Sequence, residues 1–280
     1  MSDTDLRAFI QNALAEDTGG GDHSSLASIP ASASGRARLL IKESGVIAGL
    51  SVARVAFNVT DPLLETDLLL TDGDSVAYGD IALTVSGSVH SILRAERLVL
   101  NIMQRMSGIA TTTAAYVEKI KDTKAQITDT RKTTPGMRSL EKEAVRTGGG
   151  VNHRMGLYDM IMLKDNHIDY AGGIKAAVMR TKKYLADHSL DLRIEVEARN
   201  IKEVREILDA GGVDRIMLDN FNIADTMEAV GVIGNRAETE SSGGITLANV
   251  RDYAMCGVNY ISIGALTHHI KSLDMSLKAF

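Results

Sequence analysis

The amino-acid sequence predicts an α/β protein in two parts, a small N-terminal domain and a larger β/α barrel. Three observations carry this reading. From about residue 111 onward, helical segments alternate with six short apolar stretches: AQITDT (125–130), MIMLKDN (160–166), RIEVEA (193–198), RIMLDN (215–220), AETESSGG (237–244) and YISIGAL (260–266). Their spacing, roughly 20 to 35 residues, is that of a β/α unit and implies parallel strands. Each stretch is apolar early and ends in charged, small or polar residues, as barrel strands do where they open on an active site. An open doubly wound sheet also fits the alternation; the many functional-looking strand ends favour the barrel.

Element by element, residues 4–16 read as an amphipathic helix with Leu6, Phe9, Ile10, Ala13 and Leu14 on one side, broken by Gly-Gly-Gly-Asp at 19–22. RARLLIKESGVIAGL (36–50), LLETDLLL (63–70) and DGDSVAYGDIALTVSGSVHSIL (72–93) suggest a small sheet with tight turns. Ser91 is positioned to cap a helix over about 92–107. That helix carries one apolar stripe (Ala95, Leu98, Val99, Ile102, Met106) and one polar stripe (Arg94, Arg97, Asn101, Gln104). The expected division is 1–110 for the N-terminal domain, with the tail 267–280 packing back on it, and 111–266 for the barrel.

Composition narrows the function class. The chain has 280 residues, 44% hydrophobic and 24% charged, as an ordinary globular protein does. No apolar run approaches the ~18 residues of a membrane helix, so no membrane partner is expected. The N-terminus mixes acids with apolar residues and lacks a signal peptide's layout. A single cysteine, Cys256, excludes an internal disulfide framework. Cytoplasmic localisation is the expectation. A net charge of -5 gives no sign of nucleic-acid binding.

Charge is nevertheless uneven. Between Arg131 and Lys164 there are seven Lys/Arg (131, 132, 138, 142, 146, 154, 164) and three Asp/Glu (141, 143, 159), a local net of +4. A solvated face is the bland explanation; strand-end placement points instead to an anion site. In DTRKTTPG (129–136), Arg131 and Lys132 set a guanidinium fork and an ammonium beside hydroxyls, which suits carboxylate or phosphate. In GGGVNHRMG (148–156), glycines that let a backbone approach a ligand precede His153 and Arg154. Lys164 ends an apolar strand, where it serves as an anion ligand, as a Schiff-base lysine, or merely snorkels.

The carboxylates come from later strands. Alternation sends Glu195 and Glu197 to one side of their strand, and Asp219 ends the next. Such oxygens suit Mg²⁺ held partly through substrate phosphate, or ribose hydroxyls. The last two strands end in SSGGI (241–245) and IGAL (263–266), where barrels often build a phosphate site. No zinc pattern and no Gly-X-Gly-X-X-Gly motif occurs.

Taken together, TDTRKTTPGMRSLEKEAVRTGGGVNHRMGLYDMIMLKDNHI strongly resembles the nicotinate-nucleotide pyrophosphorylase (carboxylating) family, also called quinolinate phosphoribosyltransferase. The likeness includes ALAEDTGGGDHSS, DGDSVAYGD, AERLVLNIMQRMSGIAT, IEVEARN, IMLDNF, ESSGGI and ISIGALTH. It implies a type II phosphoribosyltransferase fold, an N-terminal α/β sandwich-like domain plus an incomplete, seven-stranded α/β barrel. It also implies joining of quinolinate to phosphoribosyl pyrophosphate with Mg²⁺, giving nicotinate mononucleotide, CO₂ and pyrophosphate. Carried over residue by residue, Arg131, Lys132, His153, Arg154 and Lys164 form the basic pocket. Arg97 is the arginine sent into a neighbouring subunit's site, which implies a homodimer. Glu197 and Asp219 lie near ribose and metal, their contact to the metal direct or through water or substrate. Ser242, Gly243, Gly244 and Gly264 cradle the 5′-phosphate. The catalytic group so implied is Lys132, Lys164, Glu197 and Asp219. Alternatives are a same-fold paralogue with another substrate and a Schiff-base lyase acting through Lys164. One departure is His269, where the family's usual ending has serine.

Overall fold

The structure, a computed structural model, describes residues 2–280. The chain begins with α1 (Asp3–Thr18), α2 (His23–Ser28), β1 (Ser34–Ile41), β2 (Gly45–Val46), α3 (Leu50–Thr60) and β3 (Glu65–Leu68). It continues through β4 (Ser75–Val76), β5 (Ile81–Ser88), the long α4 (Val89–Ile120), β6 (Gln126–Thr128), α5 (Arg138–Thr147) and β7 (Ile161–Leu163). Next come α6 (Asp165–Ala171), α7 (Ile174–His188), β8 (Ile194–Ala198), α8 (Ile201–Ala210), β9 (Arg215–Asp219) and α9 (Ile223–Ile233). The last elements are β10 (Glu238–Ser242), α10 (Val250–Met255), β11 (Tyr260–Ser262), α11 (Ala265–His268) and β12 (Met275–Ala279). By contacts the chain forms two compact units. One contains the chain up to Ala114 with Thr134–Gly149 and Thr267–Phe280; the other contains Ala115–Thr133 and Gly150–Leu266.

The first unit holds an antiparallel sheet in the order β12-β1-β5-β3. Its strands alternate, so that Leu39, Ile41, Leu83 and Val85 are buried against Ile10 of α1, Phe57 of α3, and Val99 and Met103 of α4. The Ser2 side chain caps α1 by accepting from the Asp5 N–H. On the predicted stripe of α1, Ile10 is fully buried while Leu6, Phe9 and Leu14 pack partly against the core. The tail residues of β12 pair with β1 from Ala37↔Ala279 to Ile41↔Met275.

Three features differ from the sequence reading. Helix α3 occupies a stretch that reading left unassigned; Ala53, Ala56, Phe57 and Thr60 recur at helical spacing and are buried, which overrides the strand propensity of Val52, Val55 and Val59. Helix α4 spans 32 residues rather than about 92–107. Ser91 sits inside its first turns and donates to Asp61 Oδ2 at 2.7 Å instead of capping. Downstream, Thr111, Thr112 and Thr113 each donate to the carbonyl four residues back (2.7, 2.9 and 2.8 Å), so these hydroxyls are satisfied without ending the helix. Finally, α5 groups with the first unit rather than with the barrel. Arg105 of α4 forms a 2.6 Å ion pair with the fully buried Glu141, and a side chain at Gly148 would reach within 2.4 Å of the Ala110 carbonyl oxygen.

The second unit is a parallel sheet of six strands in the order β6-β11-β10-β9-β8-β7. These strands are the six stretches singled out in the sequence. Among the described residues the sheet thus has six strands where seven are expected; beside β6 only a single residue, Val151, bridges in parallel to Thr128. One face of β8 and β9 (Ile194, Val196, Ala198, Ile216, Leu218) packs against Val178 of α7, Val204 and Ile207 of α8, and Ala229 and Ile233 of α9. The other face carries Glu195, Glu197, Arg215 and Asp219, so polar and charged groups line the barrel interior. After β8 and β9 the chain turns at once into a helix whose N-cap, Asn200 or Asn222, accepts from the N–H three residues on. Among the described residues no helix is long and apolar enough to cross a membrane.

Candidate active site

At the end of β6, Asp129 is fully buried. Its carboxylate accepts the Asn152 amide and, at 2.9 Å, the His153 backbone N–H, which ties the Gly-rich segment to the strand that presents Arg131 and Lys132. Those two side chains are exposed, whereas His153 and Arg154 are 8% and 9% exposed. Arg154 Nη1 donates to the Met160 carbonyl at 3.1 Å. Burial, and secondly the nearby Arg131 charge, lower the pKa of the Arg154 guanidinium. Two guanidiniums are thus held where they oppose each other's charge, a geometry that an anion relieves.

Lys164 follows β7, and its Nζ lies 3.1 Å from Glu197 Oε2 of the adjacent β8. A Schiff-base lysine is activated by an apolar pocket or a neighbouring cation; Lys164 instead donates to a carboxylate, which supports its electrostatic reading. Asp219 ends β9 beside Glu197; its Oδ2 accepts from the Asn220 side chain at 2.8 Å. Asn220 is left-handed at φ 55° and its N–H donates to the Ser242 carbonyl at 2.8 Å, which locks the ends of β9 and β10 together.

Beyond Ser242, Gly243 and Gly244 have φ of 94° and 63°. Successive residues of this kind shape a backbone concavity suited to an oxyanion. A Cβ on Gly243 would lie 2.2 Å from Asn220 Oδ1 and 3.1 Å from the Asn220 backbone nitrogen, whereas space around Gly244 is open. Gly243→Ala should therefore raise KM for a phosphorylated substrate by about 10-fold or more through strain at positive φ and displacement of Asn220. Steady-state kinetics of this variant beside Gly244→Ala checks it; equal, small effects would contradict it. Gly264 follows β11 at the neighbouring strand end.

The structure thus brings Arg131, Lys132, His153, Arg154, Lys164, Glu197, Asp219, Ser242, Gly243, Gly244 and Gly264 into one barrel unit, at or next to its strand ends. Arg97 belongs to the other unit, on the exposed side of α4. The sequence points to His153 and Glu195 but not to the group they form with Glu240 and Arg215 one layer deeper. His153 Nε2 lies 3.0 Å from Glu195 Oε2 and 3.5 Å from Glu240 Oε2. Arg215 donates to Glu240 at 2.8 Å and to Glu238 at 3.1 Å, and lies 3.7 Å from the Tyr260 ring centroid. Burial raises the Glu195 carboxyl to about 7, and burial followed by the Glu195 charge does the same to Glu240. The signal was present: the alternation that aligned Glu195 with Glu197 also aligns Arg215 with Asp219, and Glu238 with Glu240.

An incomplete α/β barrel with opposed guanidiniums, a lysine–glutamate pair and a glycine cradle at its strand ends defines an enzyme for polyanionic, phosphorylated substrates. Comparison with known proteins specifies it further. Residues 22–107 match the model for the N-terminal domain of quinolinate phosphoribosyl transferase, and residues 109–278 match that for its C-terminal domain. The chain belongs to the quinolinate phosphoribosyltransferase family. It is 46% identical to quinolinate phosphoribosyltransferase [decarboxylating] 1 of Nicotiana glauca over 98% of this chain and 82% of that protein. Identity is 40% with the probable nicotinate-nucleotide pyrophosphorylase [carboxylating] of Bacillus subtilis (strain 168), covering 99% and 94%. Among solved structures, NadC from Streptococcus pyogenes superposes with a TM-score of 0.93 at 38% identity, covering 100% of this chain and 99% of that one.

Proposed function

We propose that this chain joins quinolinate to phosphoribosyl pyrophosphate and decarboxylates the adduct, giving nicotinate mononucleotide, pyrophosphate and CO₂ for de novo NAD synthesis. The observation that carries this reading is the crowding of Arg131 and Arg154 beside Lys132 and the Lys164–Glu197 pair. A monocarboxylate would not need so much positive charge; a pyridine dicarboxylate beside a phosphoribosyl donor does. Arg131, Arg154 and Lys164 bind the carboxylates and orient the ring nitrogen, with His153 alongside, and Lys132 adds positive charge toward the donor's phosphates. Ser242, Gly243, Gly244 and Gly264 hold the 5′-phosphate, which fixes C1′ in line with that nitrogen.

In the first step the ring nitrogen forms a bond to C1′ as the C1′–O bond to pyrophosphate breaks, and the leaving group keeps that electron pair. Glu197 and Asp219 place negative charge beside the oxocarbenium-like centre. The C2–carboxylate bond then breaks, CO₂ departs, and the electron pair left at C2 is stabilised by the cationic ring nitrogen until a proton replaces it. No protein nucleophile takes part.

Glu197 and Asp219 offer hard carboxylate oxygens on adjacent strands, which fits Mg²⁺. Because Lys164 already offsets Glu197, the pair carries too little charge to hold the ion alone, so substrate phosphate oxygens or water complete the set. When bound, Mg²⁺ neutralises charge on the departing pyrophosphate. Arg97 serves a second subunit's site in a homodimer, a reading supported by the family match and by its exposed place on α4. The cytoplasm is the compartment that the lone Cys256 supports.

Two measurements test these readings. Purified protein with quinolinate, phosphoribosyl pyrophosphate and Mg²⁺ should form nicotinate mononucleotide; an enzyme that ignores quinolinate but uses nicotinate would overturn the substrate assignment. Mixed subunits carrying Arg97→Ala or Lys164→Ala, each inactive alone, should regain about a quarter of wild-type activity if the sites are shared, since random pairing leaves one intact site in half the dimers. No recovery after subunit exchange would sink the shared site.

A further inference from the structure

One layer beneath the strand ends lies a cluster of which the reaction as derived uses only His153: His153, Glu195, Glu240 and Arg215. Each is less than a tenth exposed, and both glutamates are fully buried. Barrel interiors are ordinarily filled by branched apolar side chains, and a buried carboxylate is unfavourable unless something compensates it. Its location beside an anion-binding residue calls for a physical account.

The geometry around the imidazole supplies one. His153 Nδ1 accepts the Arg154 backbone N–H at 2.7 Å, which places the ring proton on Nε2. Nε2 faces Glu195 Oε2 at 3.0 Å and Glu240 Oε2 at 3.5 Å. Glu240 is in turn anchored by Arg215 Nη1 at 2.8 Å. On one side the ring abuts carboxylates from β8 and β10 in close contacts that lack hydrogen-bond alignment, and on the other it accepts the N–H of the peptide that begins Arg154. Turning the ring would break both contacts together. A divalent cation is the rival occupant, since one nitrogen and two carboxylate oxygens of this cluster lie within 4.8 Å of one another. The Arg215 guanidinium already fills the cationic role beside Glu240, and Arg154, Lys164 and Arg193 add positive field at Glu195.

We infer that Glu195 is a positioning residue for the reaction: by seating the His153 imidazole, it fixes the backbone from which the Arg154 guanidinium reaches the substrate anion. This rests on the reading of Arg154 as an anion ligand given above. The role is one of position: Nε2 and Glu195 meet in a close contact without an aligned hydrogen bond, so a side chain of the same shape keeps the ring seated and a shorter one does not.

Glu195→Asp, which draws the oxygens back by one methylene, and Glu195→Gln, which keeps the shape of the side chain without its charge, separate position from charge. Glu195→Asp should raise KM for quinolinate about 10-fold, with KM for phosphoribosyl pyrophosphate within about threefold of wild type; Glu195→Gln should stay within about threefold for both. In nitrogen-15 spectra of the folded, substrate-free protein, His153 should show a proton-bearing Nε2 and a bare Nδ1. Glu195→Gln should preserve that pattern and Glu195→Asp should disturb it. An Asp variant matching wild type in both KM and spectrum overturns the inference, as does a Gln variant as impaired as the Asp one. A His153 pattern that changes only when zinc or manganese is added to the wild type, with these ions bound stoichiometrically, assigns the cluster to a metal instead. The spectra need no substrate, so they decide the clamp even if wild-type protein proves inert toward quinolinate.

Discussion

Arg131→Ala lowers kcat/KM for quinolinate by about 10²–10³-fold, the loss of a bidentate carboxylate contact made in a partly desolvated site, and leaves the folded protein as stable as before. The side chain is exposed, so truncation removes little packing. Its charge opposes Arg154, whose guanidinium is disfavoured first by burial and next by Arg131 itself. Removing Arg131 therefore relieves repulsion in the empty site, and the thermal midpoint holds or rises slightly. Arg131→Lys restores the charge without the planar fork and recovers only part of the activity. Kinetics beside calorimetry check this; normal quinolinate turnover by Arg131→Ala, or an activity loss traced to unfolding, would remove Arg131 from the pocket.

Glu141→Ala has the largest expected effect on stability. Glu141 is fully buried in α5, with Oε1 taking Arg105 at 2.6 Å and Oε2 accepting the Thr134 N–H at 3.1 Å. Arg105 also donates to Thr134 Oγ1 at 2.7 Å and to the Thr267 carbonyl at 3.1 Å. Truncating the acid strands a largely buried guanidinium and an amide, a loss of about 3–5 kcal/mol for a broken buried pair. At roughly 2–4 °C per kcal/mol in a chain of this size, the midpoint falls by about 10 °C. Replacing both partners, Glu141→Ala with Arg105→Leu, should be milder than Glu141→Ala alone, because no uncompensated charge remains. Calorimetry of the variants measures it, and a midpoint within about 2 °C of wild type would show that the pair is already hydrated.

The barrel was legible because six short stretches recur at β/α spacing and end in charged, small or polar residues. The basic residues of the site were legible because they cluster where those strands end. Val151 was not legible, since one bridging residue leaves no periodic trace. Helix α3 was hidden by its valines, and the extent of α4 by three threonines of low helix propensity whose hydroxyls bond back along the helix. The grouping of α5 with the first unit depends on Arg105 meeting Glu141, 36 positions apart. The clamp beneath the site was half legible: alternation puts Glu195 inward, but only the fold shows that His153 meets it. Net positive charge first marked the central block; the acids that make it a reaction site come from strands outside it.

The most direct test of the account follows one labelled atom. With quinolinate carrying carbon-14 in the 2-carboxylate, the enzyme should release labelled CO₂ only when phosphoribosyl pyrophosphate and Mg²⁺ are both present, one CO₂ for each pyrophosphate. Release without the phosphoribosyl donor, or pyrophosphate formed with the label retained in the nucleotide, would contradict it.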